Sequence, residues 1–302
     1  MAASLRELRQ RRKSVSATKK ITRAMELIAS SRVLRAQQAA EAGAPFITEL
    51  IRAVSAVATY SKADHPLTED KPNVRRVGIL CITSDRGMNG AYSANVIKTT
   101  ARLRQRLEDE GLEVKRYIVG RKGIGYAKFR GLPIEAEWSG FSDKPTYAHA
   151  EEIADRLVED FLKPYEEGGI DEIYGVYTRM FSMMNQEVRA RRLLPLEVVE
   201  GVHEVAEGEL LPLYEFEPNA HEVLNALLPM YVRSRVWFYL LQATAAQLAS
   251  QQRAMKSATD NAEQLIERLT REENQARQAE ITQEISEIVG GASALAEAAA
   301  QD

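Results

Sequence analysis

Two stretches, one at each end of the chain, are built to be long α-helices, and they constrain everything between them. From Ser4 to about Tyr60 the sequence is rich in Ala, Arg, Leu, Gln and Glu, with no Gly or Pro before Gly43 and Pro45, which favours uninterrupted helix. Apolar or small residues recur at Leu8, Val15, Thr18, Thr22, Met25, Ala29, Val33, Ala36 and Ala40, in steps of three, four or seven. Such a narrow seam suits a coiled-coil partner better than a broad core. Pro45 is a candidate kink or break, with the pattern resuming at Phe46, Ile47 and Leu50. The second stretch runs over about residues 222–298, with Pro229 near its start. Its seam is Leu241, Ala245, Leu248, Met255, Ala258, Ala262, Leu265, Leu269 and Ala276.

The middle of the chain follows other rules. Val77-Gly78-Ile79-Leu80-Cys81-Ile82 is a short apolar run of the kind that forms a buried strand. A helical pattern follows over about residues 92–110, then a strand over 114–119, a helix over 147–165 and strands over 170–181 and 186–199. Strands alternating with helices predict a compact, Rossmann-like α/β domain over about residues 74–205. The expected organisation is therefore mixed: N-terminal helix 1–60 and C-terminal helix 220–302, pairing as a long antiparallel coiled coil, with the α/β domain between them. The Pro-containing stretch 211–218 is the connector.

Charge supports that pairing. Leu5 to Arg35 holds ten Lys/Arg and two Asp/Glu, a balance of +8, whereas Asp260 to Glu287 holds three Arg and eight acidic residues, a balance of -5. Oppositely charged helices prefer each other to themselves. At about 1.5 Å per residue the first helix is roughly 85 Å long and the second roughly 115 Å. If their bases are level, roughly the last 20 residues overhang, carrying Ile281, Ile285, Ile288, Val289, Ala292, Ala294 and Ala296. An apolar tip without an intramolecular partner calls for another protein to enclose it.

Several function classes are disfavoured. The net charge of -3 gives no electrostatic case for a nucleic-acid partner, and no aromatic or base-reading residues interleave the basic first helix. Cys81 is the single cysteine, so an internal disulfide or a Cys-based zinc site is excluded and a reducing compartment fits. His65, His149, His203 and His221 lack metal-ligand spacing. The N-terminus does not read as a signal peptide, and the longest strongly apolar run, Val236 to Leu241, is far short of the ~20 residues that cross a bilayer. A nucleotide-binding enzyme is suggested by Gly120-Arg121-Lys122-Gly123-Ile124-Gly125 after a strand. Its glycines, however, run in the reverse of the dinucleotide fingerprint, and no Walker-type phosphate loop occurs. Turn chemistry is the expected use there. Ser84-Asp85-Arg86-Gly87 is likewise expected to turn from strand to helix, with Asp85 or Asn89 capping the next helix. A structural coiled-coil spacer shares every feature described so far.

Particular motifs separate these readings. Ile281-Thr282-Gln283-Glu284-Ile285-Ser286-Glu287-Ile288-Val289-Gly290-Gly291-Ala292 resembles the C-terminal signature of the gamma subunit family of bacterial F-type ATP synthases. Met255-Lys256-Ser257-Ala258-Thr259-Asp260-Asn261-Ala262, Arg277-Gln278-Ala279, Lys20-Ile21-Thr22-Arg23-Ala24-Met25-Glu26 and Thr83-Ser84-Asp85-Arg86-Gly87-Met88-Asn89-Gly90 resemble further stretches of that family, in the right order along the whole chain. The chain departs from it at Glu273-Asn274, where the family often has Tyr-Asn, and at Gln251, where an Arg is common. It lacks the Cys pair of the chloroplast members.

The resemblance implies a non-catalytic rotor shaft without cofactor or metal. Such a shaft turns inside a ring of alpha and beta subunits, with its base on the ring of c subunits and with the epsilon subunit as a further partner. It would sit peripherally on the cytoplasmic side of the cell membrane, without inserting into the bilayer. The resemblance also implies partner contacts through Met25, Gln278, Thr282 and Glu284, with Ile285 and Ile288 in the enclosed tip. Arg9, Arg12, Lys19 and Lys20 are the basic candidates for an acidic beta-subunit lever.

Overall fold

The structure, a computed structural model, describes residues 4–61, 65–196, 217 and 219–299. Residues 197–199 of the last expected strand, His203 and most of the 211–218 connector lie outside the described residues. Two compact units are distinguished, one of residues 1–28 with 253–302 and one of residues 29–252. Helix α1 (Leu5–Ser61) and helix α5 (Ala220–Ala299) each contribute to both. The break anticipated at Pro45 does not occur: Pro45 lies inside α1 on an exposed position.

Unit 29–252 is built on five strands, β1 (Arg76–Ile82), β2 (Glu113–Val119), β3 (Ala136–Trp138), β4 (Glu172–Met180) and β5 (Gln186–Leu194), in the order β3-β2-β1-β4-β5. Every pairing is parallel except β4 with β5. Period-2 alternation divides β1 between two cores. Val77, Ile79 and Cys81 join Val96, Leu103 and Leu107 of α2 (Tyr92–Asp109) on one face. Leu80 and Ile82 join Ile153, Leu157 and Phe161 of α4 (Tyr147–Leu162), and Leu228, Val232, Val236 and Tyr239 of α5, on the other. The Tyr239 ring lies so close to β4 that a Cβ at Gly175 would stand 2.6 Å from it. Val33 of α1 packs with Leu248 and Ala249 of α5.

Two elements depart from expectation. Residues 121–129 form helix α3 (Arg121–Phe129), not a glycine turn, and β3 extends the sheet beyond β2. Gly120 keeps a turn role as the N-cap, with φ 95° and a would-be Cβ 2.4 Å from the Thr83 carbonyl oxygen. Gly123 lies within the helix because a Cβ there would meet Ile118 and Thr83 at 2.8 Å. A close approach of helix to strand, and not a loop, explains that glycine.

In the unit of residues 1–28 and 253–302 the helices run antiparallel. Arg9 and Arg12 both reach Glu273, at 3.0 and 2.9 Å, Lys19 reaches Glu263 at 2.7 Å, and the hydroxyls of Thr22 and Thr259 meet at 2.8 Å. Partner numbers on α5 fall as those on α1 rise, which defines the antiparallel sense. Leu8, Thr22, Met255, Ala262 and Leu269 are buried along the seam, while Val15, Met25 and Leu265 are half-buried. Thr18 is a correction: it is exposed, and its hydroxyl donates back to the Ser14 carbonyl. Glu26 is buried instead, held by Arg23 at 2.8 Å.

Candidate functional site

In an open α/β sheet the default ligand site is the crevice beyond the carboxyl ends of the strands, where strand order reverses. Here that point lies between β1 and β4. The segment after β1 is committed to protein. Thr83 Oγ1 donates to the Val119 carbonyl and accepts the Gly123 amide, the Lys122 amide donates to the Ser84 carbonyl, and the Arg121 amide donates to Asp85. The amides that open α3, which would cradle a phosphate in a nucleotide enzyme, are thus already bound by protein oxygens.

Asp85 takes the anion's place. It accepts amides from Gly140 at 2.8 Å, Ser142 at 2.9 Å and Arg121 at 3.1 Å. Burial works to raise its pKa, but these donors outweigh burial and hold the carboxyl below its ordinary range. The expectation that Asp85 or Asn89 caps α2 is corrected. The Asp85 carboxylate serves α3 and the 140–142 turn, while Asn89 donates its side-chain amide to Ser84 and α2 starts without a side-chain cap. α5 closes the crevice: Tyr92 donates its hydroxyl to the Ala243 carbonyl, and Thr244 donates to Ser142. Among the described residues, the amides that open α3 are therefore not left for a nucleotide phosphate. Among the described residues no group of three or more His, Cys, Asp or Glu is placed to hold a metal. His65 and His149 serve locally, the one bonded to Asn225 at 2.9 Å and the other to Thr146 at 3.0 Å.

The surface that remains is on the long helices. Every described side chain from Arg277 to Ala292 is exposed, including Ile281, Ile285, Ile288 at 71 % and Val289 at 59 %. Gln278, Thr282 and Ile285 follow at i, i+4 and i+7 and so share one helix face. Ile281, Ile285 and Ile288 form the adjoining apolar stripe, beside Glu284. The Thr282 hydroxyl donates to the Gln278 carbonyl at 2.9 Å, so what it can offer a partner is its acceptor oxygen.

On α1, Met25 is half-buried at the seam and Lys20 is exposed. Lys19, Arg9 and Arg12 are engaged with Glu263 and Glu273, so part of the basic charge is spent on the neighbouring helix. The Lys19 ammonium holds the Glu263 carboxyl below its ordinary range. Sequence reasoning missed Ile21, Leu27 and Ile28, which are exposed at 61 %, 58 % and 54 %. The i, i+7 spacing of Ile21 and Ile28 beside the seam was the available signal.

With this geometry the comparisons are consistent. A family model described as ATP synthase matches residues 4–295. The chain is 57% identical over 300 residues to the ATP synthase gamma chain of Nocardioides sp., covering 99% of each. It is 55% identical to that of Cutibacterium acnes, covering 100% of each. Among solved structures it is similar to a chain of the Euglena gracilis mitochondrial ATP synthase, in the OSCP/F1/c-ring assembly. There the TM-score is 0.66 at 14% identity, over 96% of this chain and 94% of that one, a likeness of fold.

Proposed function

The chain belongs to the ATP synthase gamma chain family, and from that premise we propose that it acts as the central rotor shaft of an F-type ATP synthase without catalysing a reaction itself. Its helical pair turns within a hexamer of alpha and beta subunits, its α/β unit rests on the c-ring, and the epsilon subunit joins the base. It is held at the cytoplasmic face of the membrane through these partners; among the described residues no helix is long and apolar enough to cross a bilayer. Coupling needs an asymmetric surface that favours different conformations of three equivalent sites in turn.

The observation that carries the reading is the run of exposed side chains at the end of α5, with a stripe of Ile and Val facing water. A small apolar tip enclosed by other subunits gives a bearing. Gln278, Thr282 and Glu284 supply polar contacts to a beta-subunit loop, Ile285 and Ile288 pack in the socket, and Met25 packs against a mobile beta-subunit segment. Lys20, with Lys19, Arg9 and Arg12 beside it, faces acidic groups of that segment.

The test is to purify the tagged chain from its own membranes, identify what comes with it and assay ATP hydrolysis. An alpha and beta hexamer with ATPase activity that the isolated chain lacks is the expected result; the chain alone, or an active isolated chain, contradicts the reading. Removing the last 20 residues then separates shaft from spacer. A spacer tolerates the loss, whereas a shaft loses coupling or assembly.

A further inference from the structure

On the α2 side of the sheet, α2 and α3 leave a cleft of about 60 Å³ between them, several times the ~10–15 Å³ that one water needs. Its floor is Ile79 and Cys81 of β1 and Ile118 of β2, and its walls include Ile97 and Ala101 of α2 and Ala127 of α3. Two arginines, Arg104 and Arg116, also line it. They share one nearby carboxylate, Glu108, and it is unequally divided. Glu108 bonds Arg104 through both oxygens, at 3.1 and 2.9 Å, and lies 3.7 Å from Arg116.

Arg116 is the anomaly. Its side chain is 12 % exposed, and its hydrogen bond to the Pro133 carbonyl is stretched to 3.5 Å. An arginine side chain this far enclosed carries five donors and a charge whose burial is costly without close partners. Burial first, and then repulsion from Arg104, lower its proton affinity. The local balance is two cations to one anion, beside an apolar cleft.

We propose that this cleft binds a small amphipathic organic anion, its carboxylate head on Arg116 and Arg104 and its short alkyl part against Ile79, Ile97 and Ile118. The head supplies Arg116 with the close anionic partner that Glu108, occupied by Arg104, does not. The tail replaces water on an apolar floor. Head and tail are both required, because a cleft of this size offers few contacts to either alone.

The test is titration calorimetry of the full chain with hexanoate, with acetate as the head alone and hexanol as the tail alone. Hexanoate is expected to bind at one site and the two fragments on the order of tenfold more weakly, as for loss of a charge-assisted contact. Arg116→Gln should weaken hexanoate by a similar factor and leave hexanol unchanged. Ala101→Leu narrows the cleft while keeping both guanidinium groups, and it should abolish binding even if the Arg116 variant does not fold. No saturable binding of hexanoate, equal binding of hexanol, or undiminished binding to the Ala101 variant would overturn the proposal.

Discussion

In the α/β unit Ala150, Ile153, Ala154 and Leu157 of α4 leave none of their surface to water, and each touches a core that also takes in strands and α5. In the helical unit a buried residue such as Ala262 has exposed neighbours on either side, and charged pairs flank the seam. The first region derives its stability from enclosed apolar area, the second from a narrow stripe supported by polar and ionic contacts. The lesson is that the helical unit keeps most of its surface free for other chains, at the cost of a thin margin of its own. Its described turns over residues 277–292 are exposed throughout.

Substitutions sharpen that contrast, starting in the α/β core. Leu157→Ala should cost about 3–5 kcal/mol, because α4 is enclosed and cannot collapse onto the cavity, whereas Leu269→Ala in the seam should cost nearer ~2 kcal/mol. Urea denaturation of the two variants measures the difference, and equal losses would break the comparison. Next comes Asp160, buried where it accepts the Tyr117 hydroxyl and pairs with Arg156 and Lys163 at 2.8 and 2.9 Å. Asp160→Ala strands Tyr117 and should cost about 3 kcal/mol.

Acid should act on the same unit. Asp160 and Asp171 are buried and Asp85 is half-buried, which opposes ionisation, yet their hydrogen bonds and cationic neighbours hold all three below the ordinary carboxylate range. Their contribution is present above the unfolded value of about 4 and is lost as pH falls through the lower folded values. His65 acts at milder pH. Burial depresses its pKa despite the bond to Asn225, so the unfolded chain takes up a proton first and stability declines as pH falls below about 6.5. A pH series of melting temperatures should show the His65 step vanish in His65→Gln while the acid limb remains.

The helical unit should respond weakly to single polar changes. Thr22→Val should cost about 0.5–1.5 kcal/mol, since Thr259 keeps its bond to the Met255 carbonyl. The double Thr22→Val, Thr259→Val variant should lose less than the sum of the single changes, as measured by a double-mutant cycle. Smallest of all, Glu273→Gln should cost under about 1 kcal/mol and the difference should fade in high salt, because Arg9 and Arg12 are largely exposed.

Much of this contrast was legible in the sequence because the two units use different periods. Steps of three, four and seven marked the seams, alternation and apolar runs marked β1, β2, β4 and β5, and the excess length of α5 pointed to an unpaired tip. What escaped had a physical reason. Gly120 and Gly123 signal a turn to any local reading, yet they serve a helix pressed against β1 and β2, a long-range approach with no local trace. Asp85 looked like a cap for the next helix, but its donors come from residues 121, 140 and 142. Glu26, in the Lys20–Glu26 motif, is buried beside the seam with Arg23 one turn earlier as its ion-pair partner. Family likeness put forward Gln278 and Thr282 as tip contacts, and helical period and length put forward Ile285 and Ile288. Their proposed partners lie on other chains, so their spacing shows a face without showing what meets it.

The most direct test of the account is hydrogen exchange along α5, comparing the free full-length chain with the chain assembled with alpha and beta subunits. Amides of residues 277–292 should exchange fast in the free chain and slow by orders of magnitude on assembly, while those near Leu157 stay protected in both. Strong protection of 277–292 in the free chain, or none gained on assembly, would contradict the claim that this tip is built for a socket.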